Sequence, residues 1–160
     1  MCTSFFAANF LRDVIILLFL FLISVKDLQK MMIPNFLVLL LFFWVFLWQL
    51  LCPRFPHGSS LAGFLAGGGL FYLVAFLSKG GLGAGDVKLT AVLGLAIGWP
   101  SVLLVFMLAF ISGAVIGMVL LLFKKKTWHA ALPFAPILSL AYFLTAFWGR
   151  EIWQWYLSFL

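Results

Sequence analysis

Long apolar runs alternate with short polar breaks along this chain, and the breaks define the elements. The runs cover 10–25, 36–52, 59–77, 87–99, 102–123 and 130–148. A helix rising 1.5 Å per residue across ~30 Å of hydrocarbon needs about 20 largely apolar residues. Most of the runs therefore predict membrane spans, with 87–99 the short one. Arg12 and Asp13 open the first run, and Lys26 and Asp27 close it. PRFPHG ends the second, SKGGLGAGD the third, GWPS separates the fourth from the fifth, and KKKTWH precedes the sixth. The tail REIWQWYLSFL is too short to span alone. It either lengthens the sixth helix or lies in the interface, where Trp and Tyr are at home. The prediction is an all-α integral membrane protein, a compact bundle of about six transmembrane helices, in one domain over 1–160. The first run is not read as a cleaved signal peptide, because its basic residues follow the apolar stretch and no A-x-A site appears.

Composition agrees and narrows the class. Hydrophobic residues make up 66% of the chain and charged residues 9%, against about 25% charged in a soluble domain. Lipid must cover what charge does not. With an even number of spans, the loops at 26–35, 78–88 and 124–129 share one side and hold all the lysines, while Arg12, Arg54 and Arg150 lie on the other. The positive-inside rule makes the lysine side cytoplasmic and both termini external. The net charge of +6 is thus a topology signal, with Lys124–Lys126 placed to touch anionic headgroups. A nucleic-acid partner is not expected, since no basic surface domain with interleaved aromatics carries the charge. G-x-x-x-G spacings at Gly63/Gly67, Gly94/Gly98 and Gly113/Gly117 allow close helix approach in lipid. Nothing in the pattern specifies a homo-oligomer.

Four acids are present. Asp13 beside Arg12 and Glu151 beside Arg150 read as exposed interfacial ion pairs, which contribute little. Asp27 and Asp86 are the two on the lysine side, at the exit of the first helix and the entry of the fourth. Singly, Asp86 fits an N-cap of the fourth helix, and Asp27 an ion pair with Lys26 or Lys30. Two ionisable groups at one membrane depth in so uncharged a chain are a functional-site hypothesis.

Two motifs surround them. DLQKMMIPN at 27–35 carries Asp27, with Pro34 and Asn35 setting up the second helix. GLGAGDVKL at 81–89 carries Gly83, Gly85 and Asp86 as G-x-G-D, whose glycines permit a sharp loop and close approach of another backbone. Together the segments resemble the type IV prepilin peptidases, membrane aspartic proteases. IPN at 33–35 matches their first catalytic segment, GAGDVKLTAVLGLAIGW at 83–99 the second, and PFAPILSLA at 133–141 a late P-F-x-P segment. The resemblance covers most of the chain and makes 1–160 one transmembrane peptidase domain. It implies Asp27 and Asp86 as catalytic, prepilins or pilin-like proteins with a basic leader as substrate, and cleavage after glycine at the cytoplasmic face. Full-length members also carry a tetracysteine insert and N-methylate the new amino terminus. This chain has only Cys2 and Cys52, so it resembles the peptidase-only members, with no methylation, metal or cofactor expected.

The residues suit that chemistry. Hydrolysis needs a base for water and an acid for the carbonyl, and two carboxylates held close share one proton and supply both. His57 and His129 have no associated nucleophile on their loops, and no H-E-x-x-H is present. Lys88 is assigned to the loop or to phosphate headgroups, and Thr90, one turn after Asp86, to hydrogen bonding near the site. Pro133 begins the PFAP segment, read as a helix start packed nearby. The alternative is a non-enzymatic carrier or ion pathway using the Asp27/Asp86 pair, which would more often set its acids at the midplane between repeats; no repeat is visible here. A valine at Gly85 is expected to be more damaging than an alanine at Gly94, if the loop needs φ > 0 at Gly85.

Overall fold

The computed structural model describes residues 2–78, 82–122 and 133–158. Among them the chain forms six helices and no strand: α1 (Cys2–Lys30), α2 (Asn35–Leu51), α3 (His57–Leu77), α4 (Ala84–Ile97), α5 (Ser101–Leu122) and α6 (Ala135–Leu157). Three are long and apolar enough to cross a membrane: α1 over Ala7–Lys30, α3, and α5 over Ser101–Val119. α2 is a shorter apolar helix, as is α6 over Ala135–Gly149. Large apolar side chains such as Phe21, Phe43, Leu65, Tyr72 and Met118 point outward, as expected of a membrane bundle whose outer solvent is lipid. α6 runs unbroken through Glu151 to Leu157, so the tail lengthens the last helix. Lys79, Lys124–Lys126 and His129 lie outside the described residues.

α4 departs from the expected pattern. At 14 residues it is about 21 Å long, and every residue from Leu89 to Ile97 is buried. It is the core helix, touched by α2, α3, α5 and α6, and not a lipid-facing span. Its sequence explains this: Gly94, Ala91, Ala96 and Thr90 leave room for neighbours on several sides at once.

The most extensive helix contact is between α3 and α4. There the first two G-x-x-x-G spacings interlock. A Cβ on Gly63 would run into the carbonyl oxygen of Gly94 and stand 2.9 Å from the backbone of Gly98. One on Gly67 would stand 2.6 Å from the carbonyl oxygen of Thr90. Gly113 of the third spacing instead faces the ring of Phe134, 3.1 Å from a Cβ. Phe71 of α3, Phe106 and Phe110 of α5, and Phe134 ahead of α6 stack edge-on or tilted, with centroids 4.5–6.0 Å apart, and tie these elements together.

The expectation for Asp13 is corrected. Arg12 and Asp13 are buried, at 2% and 5% exposure. Asp13 Oδ1 accepts from Arg12 (2.7 Å) and from the Tyr142 hydroxyl (3.1 Å), and Oδ2 from Arg54 (2.8 Å). Arg54 comes from the α2–α3 loop and Tyr142 from α6, so sequence adjacency alone hid a network joining three parts of the chain. Removing one partner from a buried pair costs about 3–5 kcal/mol, unlike the exposed pair first expected. Glu151 is exposed, as expected.

The glycine contact gives a stability prediction. Gly94→Ala forces a methyl into the Gly63 backbone and should lower stability by about 1–3 kcal/mol or more. Gly69→Ala, which meets nothing within 4 Å, should be neutral. Thermal unfolding of the detergent-solubilised variants checks both.

Candidate active site

The site is assembled from three helix ends. α1 continues through Asp27 to Lys30 and stops at Met31, whose φ of 50° is left-handed and uncommon for a residue with a side chain. The Met31 N–H donates to the Asp27 carbonyl (2.8 Å). Pro34 is the N-cap of α2, and its carbonyl accepts the N–H groups of Leu37 and Val38. Between these two stops the chain turns so that Ile33 lies on Gly85. A Cβ at Gly85 would be 2.7 Å from Cβ of Ile33. Close approach is therefore the reason for glycine here. Positive φ is not: among the described glycines only Gly98 has it. Gly94 faces backbone, and Gly85 faces the Cβ of Ile33, which is fixed to its own backbone, so neither position has room for a side chain.

Asp86 lies in the first turn of α4, but Gly83 is the N-cap. The aspartate is three residues further on, where a carboxylate reaches back to the cap. Its carboxylate is close enough to the Gly83 backbone N–H for that amide to favour the ionised form, in the manner of a capping box. A Cβ on Gly83 would stand 3.2 Å from Asp86 Oδ2. The other oxygen, Oδ1, is buried and has no hydrogen-bond partner among the described residues. The Asp27 and Asp86 carboxylates are within electrostatic reach of each other, and both residues are buried, at 5% and 8% exposure.

Asp27 Oδ2 accepts a hydrogen bond from the backbone N–H of Ala135 (3.0 Å), the first residue of α6. Pro133 and Phe134 lead into that helix. Lys88 donates to the Asn35 side-chain oxygen (3.2 Å) in an exposed link between the two motifs, and does not pair with either aspartate. Thr90 is buried and donates back to the carbonyls of Asp86 (2.8 Å) and Val87 (3.1 Å), not to a carboxylate. His57 opens α3 and is exposed. No group of three or more His, Cys, Asp or Glu is gathered among the described residues.

Sequence reasoning missed the Ala135 amide and the pair of hydroxyls behind it, Ser24 and Ser139, 2.8 Å apart. The signal available was the proline at the second helical position in PFAP. Prolines there mark a helix start, and a helix start offers free N–H groups to an anion.

The arrangement is two carboxylates, one holding an amide and one partly bare, brought together by the two motifs. Residues 14–118, which contain both aspartates, match the model of the type IV leader peptidase family. The chain belongs to that family. It is similar to the prepilin leader peptidase/N-methyltransferase of Aeromonas salmonicida (strain A449), 36% identical over 137 residues, covering 82% of this chain and 47% of that protein. It is similar to the proteins of the same name from Bacillus subtilis (strain 168), 31% identical over 147 residues with 91% and 58% coverage, and from Pseudomonas aeruginosa, 32% over 146 residues with 85% and 49%. The chain thus spans about half the length of the curated relatives it matches. No solved structure matches it.

Gly85→Val should push the Ile33 turn away from α4 and cost about 1–3 kcal/mol by overpacking. Lys88→Met, which breaks only an exposed hydrogen bond, should cost less than about 1 kcal/mol. The melting temperatures of the two variants compare the effects directly.

Proposed function

We propose that this chain is a membrane aspartic endopeptidase that cleaves the basic leader of type IV prepilins or pilin-like proteins after glycine, at the cytoplasmic membrane face. The observation that carries the reading is the convergence of Asp27 and Asp86. They come from segments 59 residues apart in the sequence, and they meet at one end of a bundle otherwise nearly free of acids. Two buried carboxylates that repel each other cannot both ionise cheaply. One then serves as base to water while the other donates to the carbonyl.

The lysine-rich loops support a cytoplasmic active face and external termini, in the cytoplasmic membrane of a bacterium or archaeon. Asp27 and Asp86 are the catalytic residues in this reading. Gly83 and Gly85 support the loop, and Lys88 with Asn35 fixes one motif against the other. Pro34, Thr90 and Pro133 shape the ends of the helices that present the pair. A prepilin leader carries lysine or arginine, so an acid pair at its binding site is complementary to it in charge. The carrier reading gains nothing from the geometry, since both acids sit at helix ends and each has a backbone donor.

Asp27→Asn and Asp86→Asn should each abolish leader cleavage of a co-expressed prepilin while the protein still accumulates in the membrane. Processing of the prepilin on a gel reads the outcome, and full cleavage by either variant would sink the two-carboxylate mechanism. A chelator should leave cleavage unchanged, and mass spectrometry of pilin cleaved by this protein alone should find an unmethylated amino terminus even with a methyl donor present. A methylated terminus would overturn the peptidase-only reading.

A further inference from the structure

The two carboxylates differ in surroundings, and the difference assigns their roles. Asp27 accepts the first amide of α6, the positive end of a helix of 23 residues. A hydrogen bond to an ionised acceptor at a helix N-terminus favours the charge, both through the bond and through the aligned peptide dipoles. That amide is held in place. The Ser139 hydroxyl donates one turn along α6 to the Ala135 carbonyl (2.7 Å). The same hydroxyl lies 2.8 Å from the Ser24 hydroxyl, one turn before Asp27 on α1. The two helices are thereby registered so that the Ala135 N–H meets the carboxylate.

Asp86 has the weaker claim to charge. It also lies in a first helical turn and has the Gly83 amide, and both favour the anion. Against them stand its burial, an Oδ1 that is itself buried with no partner among the described residues, and the negative charge of Asp27 nearby. An unpartnered buried carboxylate oxygen and a like charge both favour the neutral acid, and burial outweighs the single Gly83 bond.

We propose that Asp27 carries the negative charge of the pair and acts as the base on the attacking water, while Asp86 enters the reaction protonated and donates to the scissile carbonyl. The assignment rests on the peptidase reading above. As water adds to the carbonyl carbon, its proton passes to Asp27, and the Asp86 proton passes to the carbonyl oxygen, giving a gem-diol. When the C–N bond breaks, Asp27 returns its proton to the leaving amine, and Asp86 regains one from the gem-diol hydroxyl. Both carboxyl groups end as they began. Ser24, Ser139 and Ala135 are positioning residues that act through Asp27.

The other charged groups near this end are Lys26 and Lys30 on α1 and Lys88 on α4, the last bonded to Asn35 of α2. α3, α5 and α6 bring no charged group to this end among the described residues. Cleavage in this assignment requires Asp86 protonated, and is lost as pH rises.

Infrared spectroscopy of the protein in nanodiscs at about pH 6, above the ordinary carboxyl range, tests the charge assignment without any turnover. Of the four acids, Asp13 is paired with two arginines and Glu151 is exposed, so a protonated-carboxyl band reports on the pair. The band should be present in the wild type, persist in Asp27→Asn and vanish in Asp86→Asn. Any other pattern overturns the assignment, whether or not the protein cleaves prepilin. A second variant reads the positioning. Ala135→Pro removes only the donating N–H, at a helix position that accepts proline. Its kcat should fall about ten-fold with KM unchanged. Ala135→Gly, which keeps the N–H, should keep kcat. An unchanged kcat, or a change confined to KM, would overturn the role of the amide. Should Ala135→Pro fail to accumulate, the infrared result decides.

Discussion

The structure depends first on the absence of side chains where α3 meets α4. In lipid, helices gain little from the hydrophobic effect on associating, and close van der Waals contact must hold them. Gly63 against Gly94 and Gly67 against the Thr90 carbonyl bring the two backbones into that contact. α4 can then be enclosed by its neighbours, although it is short and largely made of small residues. The candidate site depends on where α4 is pinned, because Asp86 is carried by the first turn of that helix. A slip by one turn, about 5.4 Å, would carry the carboxylate past the end of α1.

Along α1 and α6 a different device sets the register. Three polar links run the length of that contact: Asp13 with Tyr142, Ser24 with Ser139, and Asp27 with the Ala135 amide. The bundle treats charge oppositely at its two ends. At one end Asp13 receives two guanidinium groups and a hydroxyl, so a buried charge is fully compensated. At the other end two acids lie close, with one amide each and a bare oxygen on Asp86. Buried polar groups are ordinarily satisfied, and local violations gather where a protein does chemistry. The compensated end secures helices whose opposite ends must hold an uncompensated pair.

The helices, their order and the two aspartates were legible in the sequence, because apolar runs and rare acids are strong signals in a membrane chain. What was not legible is three-dimensional pairing. Asp13 looked like a surface neighbour of Arg12 because adjacency says nothing of Arg54 or Tyr142 arriving from elsewhere. α4 was read only as the short span of the six, because periodicity cannot tell an all-apolar helix enclosed by protein from one enclosed by lipid. Gly85 was singled out on two grounds, positive φ and close approach, and of these the backbone needs only the second. Its actual constraint is Ile33, a residue of the other motif. Asp86 as an N-cap was off by one turn position, since a capping box places the acid three residues inside the helix.

The α3–α4 register also fixes the depth of the site. The helices are antiparallel, with Gly63 opposite Gly94 and Gly67 opposite Thr90, so each step along one is a step back along the other. Continued by one more turn, the register puts Asp86 level with Phe71, which is buried. α3 goes on six residues further, to Leu77, or about 9 Å. The carboxylate therefore stands level with a buried turn of α3, below the end of that helix. Such a place lowers the local dielectric and strengthens the coupling between the two acids.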